Sequence, residues 1–517
     1  MRTLPLLFAA WMSLWQLSST ALVPTSGSGS ASSSAKPTPA AKTAAPAGLE
    51  DYLRDKMARR RIPGMQVAVV RDGHVVFSAS YGKANLQDDI AVTPDTVFSI
   101  NSATKTFTGV AILQLAQAGK LSLDAPVSRY LDGLPPAWQA ITVRQLLNHT
   151  SGLPDILVPP RAQGTGALVG DGGEDAAWET VKTLPMDFPT GTAYRYNQTN
   201  YVLLGRIIDS LGGMPFTRFI AERQFAPAGM VHAGFGDSRD VTPHRAQPYR
   251  YPGGATGISP GALEHAFDEF PRMLRTGAGI NTTATEVANW LIALQDGRLL
   301  DRDSLRELWA PGRFNDGRAT PWAAGWPRID REDHPAVAGI GGRRSAFFVY
   351  PHDHLAVVVL TNLAGANPEE FIDEIAGFYV PDLSAQNGGG LPRRIKALRS
   401  GLIARGWDQG VAVVADLKRK DPAYELREDD LNGWGYRLVQ DGQVREGLAV
   451  LKLNTELYPR SGNTFDSLAE AYAISGDREA AIRNYRLSLD RDPGNRNAVD
   501  QLRALGAPVA SGTPSRH

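Results

Sequence analysis

Two candidate catalytic residues, Ser102 and Lys105, lie three residues apart in the run Ser-Ala-Thr-Lys. The run opens a segment at 106–118 with apolar residues at helical spacing, which predicts a helix carrying both side chains on one face. A serine hydroxyl is a weak nucleophile until a base takes its proton. A lysine can be that base when it is neutral, and the free N–H of Ser102 at a helix start can bind an oxyanion. Alone the pattern is nonspecific, because an ordinary helix start with an exposed lysine looks the same.

A second group of residues makes the catalytic interpretation of Ser102 and Lys105 more specific. Tyr196, Asn197 and Gln198 follow a Pro-Thr-Gly-Thr run at 189–192 and precede an apolar helical run at 201–207. Here the sequence resembles the serine β-lactamases and penicillin-binding proteins, most closely the class C β-lactamases with the related D-amino-acid peptidases and esterases. Several ordered motifs are more specific than any one of them. The resemblance covers about residues 49–380, and its other motifs lie at 96–101, 146–154 and 360–362.

The resemblance implies a role for each residue of this group. Ser102 attacks the carbonyl carbon, Lys105 takes or holds the serine proton, and Tyr196 passes a proton to the leaving group with the help of Lys105. Gln198 stands where the family has Asn. Either its amide contacts the substrate or it is a surface amide near a loop. Tyr194 is the alternative to Tyr196, although its spacing is more typical of a packing aromatic.

The third family motif, Lys-Thr-Gly or His-x-Gly on the strand beside the serine, is altered in this sequence. The matching stretch at 339–342 reads Gly-Ile-Gly-Gly and has no cation or imidazole. Gly341 and Gly342 are still expected to line the substrate site, and the Gly342 N–H can be the second oxyanion donor because a backbone group needs no side chain. The change removes an anchor for a substrate carboxylate. It favours hydrolysis of a less acidic ester or amide over β-lactam hydrolysis or transpeptidation.

Four further residues near these motifs have two interpretations each. Arg343 and Arg344 can replace the missing cation, but a pair of solvated charges at a strand edge is favoured. Trp326 resembles a family position that lines the cleft, and core packing is the equal alternative. His149 lies in a family-like loop and is interpreted as structural, because the Ser-Lys-Tyr scheme uses no histidine.

Composition and motif searches argue against several other classes of protein. Lys plus Arg and Asp plus Glu both number 54, and this balance is unlike the basic surplus of nucleic-acid binders. The sequence has no cysteine, hence no disulfide and no thiolate nucleophile. No phosphate-binding loop, dinucleotide fingerprint or zinc helix motif stands out, so neither a metal nor an organic cofactor is implied. His352 and His354 have a spacing that suits a metal, but a polar turn is the favoured interpretation.

The elements that must position the site are two β-rich regions on either side of a helical stretch. Apolar runs at 65–70 and 74–80 flank an Asp-Gly turn, the strongest short hairpin signal. Similar runs at 346–350 and 355–360 come near the other end. The pattern predicts an α/β (α+β) hydrolase domain at 48–382, with one sheet built from both chain ends and a helical subdomain.

After residue 382 the composition changes. A Gly-rich run at 387–390 lies in a predicted linker-and-helix region at 383–430. Gly442 and Gly476 are 34 residues apart, as are Pro459 and Pro493, which is the tetratricopeptide period. We therefore predict a small all-α, tetratricopeptide-like domain at 431–507 and a disordered tail at 508–517. Two repeats rarely stand alone, so the module either packs on the hydrolase domain or is capped by the helical sequence around 391–412.

The amino terminus has the features of an export signal. A positive start at Arg2, an apolar run at 4–17 and small residues at 19–21 predict a signal peptide at 1–21. A Ser-, Ala- and Pro-rich flexible linker follows at 22–47. The protein is therefore expected to be exported, in the periplasm or secreted.

Together these patterns predict an exported serine hydrolase that forms an acyl-enzyme on a small-molecule or peptide ester or amide. One alternative is a β-lactamase or a D-Ala-D-Ala carboxypeptidase. The other is a non-catalytic, penicillin-binding-like scaffold whose helical repeats bind a protein partner. Retention of Ser102, Lys105 and Tyr196 together argues for the enzyme.

Overall fold

The computed structural model of the chain describes residues 45–157, 173–251, 262–329, 331, 333–384 and 387–508. These residues belong to one compact unit. Its strands are β1 (Gly64–Arg71), β2 (His74–Asn85), β3 (Ile90–Ala91), β4 (Phe98–Ser99), β5 (Gly234–Phe235), β6 (Tyr249–Arg250), β7 (Glu264–His265), β8 (Ile280–Thr282), β9 (Arg328–Ile329), β10 (Ala336–Gly341), β11 (Ser345–Tyr350), β12 (Leu355–Thr361) and β13 (Leu363–Ala364).

A seven-stranded antiparallel sheet in the order β3-β2-β1-β12-β11-β10-β9 forms the centre of the fold. The first strand of the chain pairs with the twelfth, with Met65 opposite Thr361 and Arg71 opposite Leu355. The prediction of one sheet built from both chain ends is therefore confirmed. Two three-stranded sheets, β13-β6-β7 and β4-β8-β5, were not predicted, because most of their strands have only two residues.

Both faces of the central sheet are covered, and this explains the continuous apolar runs of its middle strands. Along β12, Ala356, Val358 and Leu360 point to one hydrophobic cluster. Val357 and Val359 point to a second cluster on the opposite face. All seven residues of this strand are buried. Successive residues of a strand face opposite sides, so each face receives every second residue.

The predicted Asp-Gly hairpin is present between β1 and β2. Asp72 and Gly73 have φ values of 50° and 77°, the left-handed conformations that a two-residue hairpin turn requires. The second predicted hairpin joins β11 to β12 through a short 3₁₀ turn at Pro351–Asp353, with His354 at φ 49°. His352 and His354 thus lie in the turn, as the polar-turn interpretation expects.

Helices pack against both faces of the sheet and fill the middle of the chain. Between β4 and β10 they form the helical part of the hydrolase fold that the sequence predicts. They are α1 (Leu49–Arg59), α2 (Thr104–Gln117), α3 (Val143–Leu147), α4 (Gly173–Lys182), α5 (Gln198–Gly212), α6 (Phe216–Ile220), α7 (Ala226–Ala228), α8 (Arg275–Ala278), α9 (Ala284–Gln295), α10 (Arg302–Trp309) and α11 (Ile372–Ala376).

The rest of the described chain is helical. α16 begins 34 residues after α14, and α17 begins 34 residues after α15, so the period read from the sequence is present as two helix pairs. The name tetratricopeptide for this module stays a prediction. Its helices are α12 (Arg393–Arg405), α13 (Gly410–Lys420), α14 (Glu428–Gln440), α15 (Val444–Leu457), α16 (Gly462–Ser475), α17 (Arg478–Arg491) and α18 (Arg496–Ala504).

The helical module packs against α12 and α13 and also contacts the part of the chain that contains the central sheet, so both predicted kinds of support are present. Residues of α12 and α13 share a hydrophobic cluster with α14 and α15. Lys56 of α1 forms ion pairs with Glu374 of α11, at 3.2 Å, and with Asp441 after α14, at 2.7 Å. Arg437 of α14 pairs with Glu374 at 2.7 Å, and Arg60 pairs with Asp441 at 3.3 Å. We call these five residues the interdomain charge cluster.

Several predictions concern residues outside the described parts of the chain. The signal peptide at 1–21, most of the linker at 22–47 and nearly all of the tail at 508–517 lie there. The precise limits of the other domains stay predictions. In the described ranges, no helix has the length and apolar character needed to cross a bilayer.

Candidate active site

Ser102 lies in a single 3₁₀ turn, Asn101–Ala103, that leads directly into α2. The turn departs from the simple helix start that the sequence predicts. Asn101 has a φ of 46°, a left-handed conformation that is strained for a residue with a side chain. Ser102 itself is half-buried, while Lys105, in the first turn of α2, is fully buried. The serine is therefore held on a bent backbone at the edge of the protein interior.

The ammonium group of Lys105 contacts only neutral groups in the described structure. Its Nζ donates to Gln198 Oε1 at 2.9 Å and to the carbonyl oxygen of Gly277 at 2.8 Å. It also lies 4.8 Å from the ring centre of Tyr196 and 5.0 Å from that of Tyr201. Sequence reasoning missed Gly277, because a backbone carbonyl leaves no side-chain signal.

Tyr196 lies beside Lys105, as the motif order predicts. Its hydroxyl is buried and has no hydrogen-bond partner among the described residues. Its ring is 4.6 Å from that of His149 and 5.5 Å from that of Trp322. Tyr194 contacts the same two aromatic residues at 6.1 and 6.2 Å, and it has the packing position that its spacing suggests. Trp322 thus packs against both tyrosines, and no sequence motif indicated this contact.

The two interpretations of Gln198 are now distinguished. Gln198 is the first residue of α5, and its side-chain oxygen is bound to Lys105. The surface-amide interpretation is therefore wrong. The Gln198 side chain is longer than the Asn of the family and lies beside Lys105. Its hydrogen bond therefore fixes the position of Nζ.

The strand that carries the altered third motif lies directly against the serine turn. A Cβ atom at Gly341 would fall 1.9 Å from the carbonyl oxygen of Ile100 and 2.8 Å from the Ser102 nitrogen. Gly342 has a φ of 59°, and a Cβ there would fall 1.9 Å from the side-chain amide group of Asn101. Only glycine permits this approach. The predicted pair Gly341 and Gly342 is thus brought to Ser102, although the missing cation is not restored there.

The preferred interpretation of the two arginines that follow is wrong for Arg344. Its side chain is buried and forms an ion pair with Asp268, which also pairs with Arg245 at 3.2 Å. Arg343 is exposed, and its Nε donates to Asn367 Oδ1 at 3.0 Å. The sequence could not show the pairing, because Asp268 is 76 residues away along the chain. Arg344 is therefore held inside the protein by Asp268, and it is not a free cation on the altered strand.

His149 is a buried structural residue, as predicted. Its Nδ1 accepts hydrogen bonds from the Asn197 N–H at 3.2 Å and from the Asn200 amide at 3.1 Å. Burial, and then the charge of Lys105, hold the pKa of His149 well below 6.5. The imidazole is therefore neutral, and it supports the backbone that carries Tyr196.

Trp326 is a core residue, which decides between its two interpretations. It is fully buried and stacks on Trp290 with ring centres 5.8 Å apart and an interplanar angle of 5°. Trp309 and Phe347 meet its ring edge-on. It does not line the cleft, because helix α9 and the sheet enclose it.

A carboxylate that sequence reasoning missed lies close to these groups. Asp155 Oδ1 accepts hydrogen bonds from the backbone N–H groups of Gln198, at 3.3 Å, and Leu157, at 3.1 Å. Burial raises the pKa of Asp155, and hydrogen bonds and nearby cations oppose that rise. An aspartate directly after a Leu-Pro step suggests an ordinary loop, so the sequence offered no clear signal for it.

Comparison with known proteins agrees with this arrangement. The family model described as Beta-lactamase matches residues 49–380, more than half of the chain. The chain belongs to the β-lactamase family. Within this family, a Bacillus subtilis (strain 168) protein named as a penicillin-binding protein, PbpX, is 32% identical over 247 residues, which cover 47% of this chain and 58% of that protein. Protein flp of Staphylococcus aureus (strain MW2) is 26% identical over 335 residues, with 61% and 62% covered.

This chain spans about three fifths of the length of these two relatives. Among solved structures, the octameric penicillin-binding protein homologue from Pyrococcus abyssi is similar in fold, with a TM-score of 0.54 and 23% identity. The likeness covers 68% of this chain and 80% of that one. The predicted family and fold class are therefore confirmed.

Proposed function

We propose that the chain is an exported serine hydrolase that cleaves an ester or amide through an acyl-enzyme on Ser102. The Ser102 oxygen attacks the carbonyl carbon while Lys105 accepts its proton. Tyr196 delivers a proton to the leaving alcohol or amine. Water then attacks the acyl carbon and gives its proton to the Tyr196 phenolate; as the acid is released, the serine oxygen takes its proton back from Lys105.

The observation that carries this proposal is the set of contacts around Lys105. Lys105 is fully buried one helical turn from Ser102, and both of its hydrogen bonds go to neutral oxygens. In the described structure no carboxylate forms an ion pair with Nζ. Lys105 is therefore not held in a structural ion pair, and it is the candidate base one helical turn from Ser102.

The backbone around the serine supports an oxyanion site. The N–H of Ser102 lies in the 3₁₀ turn, and β10 approaches that turn at Gly341 and Gly342. We assign the Ser102 and Gly342 N–H groups as the two donors to the oxyanion. Such fixed donors stabilise the charge that develops in the transition state, with about 10²–10³ in rate for each.

The charge distribution favours a substrate without a carboxylate next to the reacting bond. The third motif has no cation of its own, and the guanidinium of Arg344 is buried and bound to Asp268. An acidic β-lactam or a peptide carboxy terminus would find no buried cation within the motif, since Arg343 beside it is exposed and donates to Asn367. A neutral or basic ester or amide fits this site better.

A second candidate is penicillin binding or D-Ala-D-Ala carboxypeptidase activity. It is supported by the relative named as a penicillin-binding protein, which shares 32% of its residues over the aligned region. Export to the periplasm or the medium is part of both proposals and rests on the signal-like residues 1–21. Binding of a protein partner by the helical module stays a prediction.

The test is the mass of the intact protein after treatment with a fluorophosphonate probe. Wild type is expected to gain one label and Ser102→Ala none, and wild type is expected to hydrolyse a short-chain p-nitrophenyl ester. Labelling by penicillin in a parallel sample would favour the second candidate. No label and no hydrolysis in wild type would overturn the enzyme proposal and favour the scaffold alternative.

A further inference from the structure

The residue immediately before the candidate nucleophile, Asn101, has a buried side chain that is bound at both ends. Its backbone φ of 46° is strained for a residue with a Cβ, and such strain persists only where the surroundings impose it. In the amide orientation that gives both ends a partner, the oxygen accepts from Arg344 Nη2 at 2.8 Å and from Nε at 3.0 Å, and the nitrogen donates to Ser99 Oγ at 2.5 Å. One guanidinium therefore binds the serine turn to the turn between β10 and β11.

The guanidinium of Arg344 is itself fixed by a carboxylate from another part of the chain. Arg344 and Asp268 are both buried, and Nη2 of Arg344 donates to Asp268 Oδ1. The Asp268 N–H donates to the Ser238 hydroxyl at 2.8 Å, and the Ser238 N–H donates to the Asp268 carbonyl at 2.9 Å. Because a guanidinium is planar and rigid, a carboxylate that holds one side of it also fixes the donors that face Asn101.

Arg344 also contacts the strand end that carries the second proposed oxyanion donor. Its N–H donates to the Gly341 carbonyl at 3.1 Å, and its Nε lies 3.2 Å from the point where a Cβ of Gly342 would stand. Its carbonyl accepts from the N–H and the hydroxyl of Thr361, at 2.8 and 2.9 Å, which anchors the same turn to β12. One residue thus contacts both the turn that contains the Ser102 N–H and the turn that contains the Gly342 N–H.

We propose that Arg344 is a positioning residue, which sets the distance between the Ser102 and Gly342 N–H groups through its contact with Asn101. This inference rests on the proposed function, because it concerns the oxyanion site of the same reaction. Oxyanion donors act when they lie about 2.7–3.1 Å from the oxygen that becomes negative, and a shift of about 1 Å costs about 10²-fold in rate. Without the guanidinium, Asn101 relaxes to an ordinary backbone conformation and the serine turn shifts relative to β10. The loss falls on the transition state, and therefore on kcat rather than on KM.

The experiment measures kcat and KM of Arg344→Met for a short-chain p-nitrophenyl ester, with urea unfolding on the same preparation. Methionine removes the donors, so kcat is expected to fall about 100-fold while KM stays within about twofold of wild type. Arg245→Met is the matched control. Arg245 donates to the same Asp268 carboxylate at 3.2 Å, but its other hydrogen bond goes to the Asp237 carbonyl rather than to Asn101. Its kcat is expected to stay within about threefold of wild type.

Asn101→Ala tests the same contact from the other side and keeps the ion pair of Arg344 with Asp268. It is expected to lose about as much in kcat, about 100-fold, and it decides the question if Arg344→Met does not fold. In the double variant of Arg344→Met and Asn101→Ala the two losses should not multiply, because each substitution removes the same contact.

The outcomes separate this inference from the function it rests on. An unchanged kcat in Asn101→Ala, losses that multiply in the double variant, or an equal loss in Arg245→Met would show that Arg344 only stabilises the fold, while the hydrolase proposal stands. A raised KM with unchanged kcat in Arg344→Met would also overturn the positioning role. If wild type cleaves no ester and takes up no fluorophosphonate, the proposed function fails and this inference fails with it.

Discussion

Two buried lysines of this protein lie against similar aromatic rings but differ in the charge of the groups that bind their ammonium nitrogen. Lys105 is 0% exposed and lies over the rings of Tyr196 and Tyr201. Lys56 is 4% exposed and lies over the rings of Tyr52 and Phe371. Aromatic faces and burial alone therefore do not distinguish a structural lysine from a reactive one.

The difference lies in the acceptors. Lys56 Nζ is placed between the carboxylates of Glu374 and Asp441, whereas Lys105 Nζ has an amide oxygen and a carbonyl oxygen. Two carboxylates hold a lysine as an ammonium ion, because its deprotonation would leave them without compensation. Neutral acceptors impose no such requirement. The comparison predicts that Lys105 serves the reaction and Lys56 serves the structure.

The largest expected effect is the loss of activity in Lys105→Met. Removing a general base costs up to about 10⁴-fold in rate, and here kcat/KM for the ester is expected to fall at least 10³-fold. Ester hydrolysis and thermal unfolding are measured on the same preparation. If the variant is folded and keeps more than a tenth of the activity, Lys105 is not the base.

Lys56→Met is expected to show the converse pattern. It leaves Glu374 and Asp441 with one fewer cation, and breaking a buried pair costs about 3–5 kcal/mol of unfolding free energy. Urea unfolding measures the loss, and ester hydrolysis of the folded fraction is expected to be unchanged. Lys83→Met is the control, because its pair with Asp89 is exposed and contributes about 1 kcal/mol or less. Equal losses in the two variants would contradict the comparison.

The interdomain charge cluster also predicts a pH dependence of stability. Burial alone would raise the pKa of Glu374, but Arg437 and Lys56 bring it from 4.5 down to about 2. A carboxylate with a lowered folded-state pKa stabilises the protein above its unfolded value, and this stabilisation is lost as the pH falls from about 4.5 to about 2. The loss amounts to about 3 kcal/mol. Unfolding curves across this range measure it, and Glu374→Gln should flatten this part of the profile.

The smallest of the expected effects is that of Tyr196→Phe. Because its hydroxyl has no partner in the described structure, removing it should not lower stability. Activity is expected to fall about 100-fold, since a proton donor to the leaving group is lost. Tyr194→Phe serves as the control and should behave like wild type. Similar activities for the two variants would show that Tyr196 is not the proton donor.

Much of this arrangement could be predicted from the sequence, because local patterns carry it. The Asp-Gly turn and the apolar runs predicted both hairpins. The first two motifs predicted that Ser102, Lys105 and Tyr196 share one site, and Lys105 Nζ lies 4.8 Å from the ring centre of Tyr196. These features depend on residue type and short spacing, which a sequence displays directly.

The contacts that decide the electrostatics could not be predicted in this way. Asp268 meets Arg344, and Asp441 meets Lys56, over separations of 76 and 385 residues. The Gly277 carbonyl that holds Lys105 is a backbone group, and every residue has one. Trp326 was ambiguous because an aromatic residue suits a cleft and a core equally well. Long-range pairing and backbone acceptors thus mark the limit of sequence reasoning here.

The pairing of β1 with β12 sets the order in which a newly made chain can fold. Met65 cannot find Thr361 until almost three hundred further residues have left the ribosome, and contacts of such separation form slowly. The strand that approaches Ser102 also comes from this late part of the chain. Shorter nascent chains therefore have a nucleophile but no completed site. The contact between α1 and the end of α14 joins residues still farther apart, since Asp441 follows Lys56 by 385 residues.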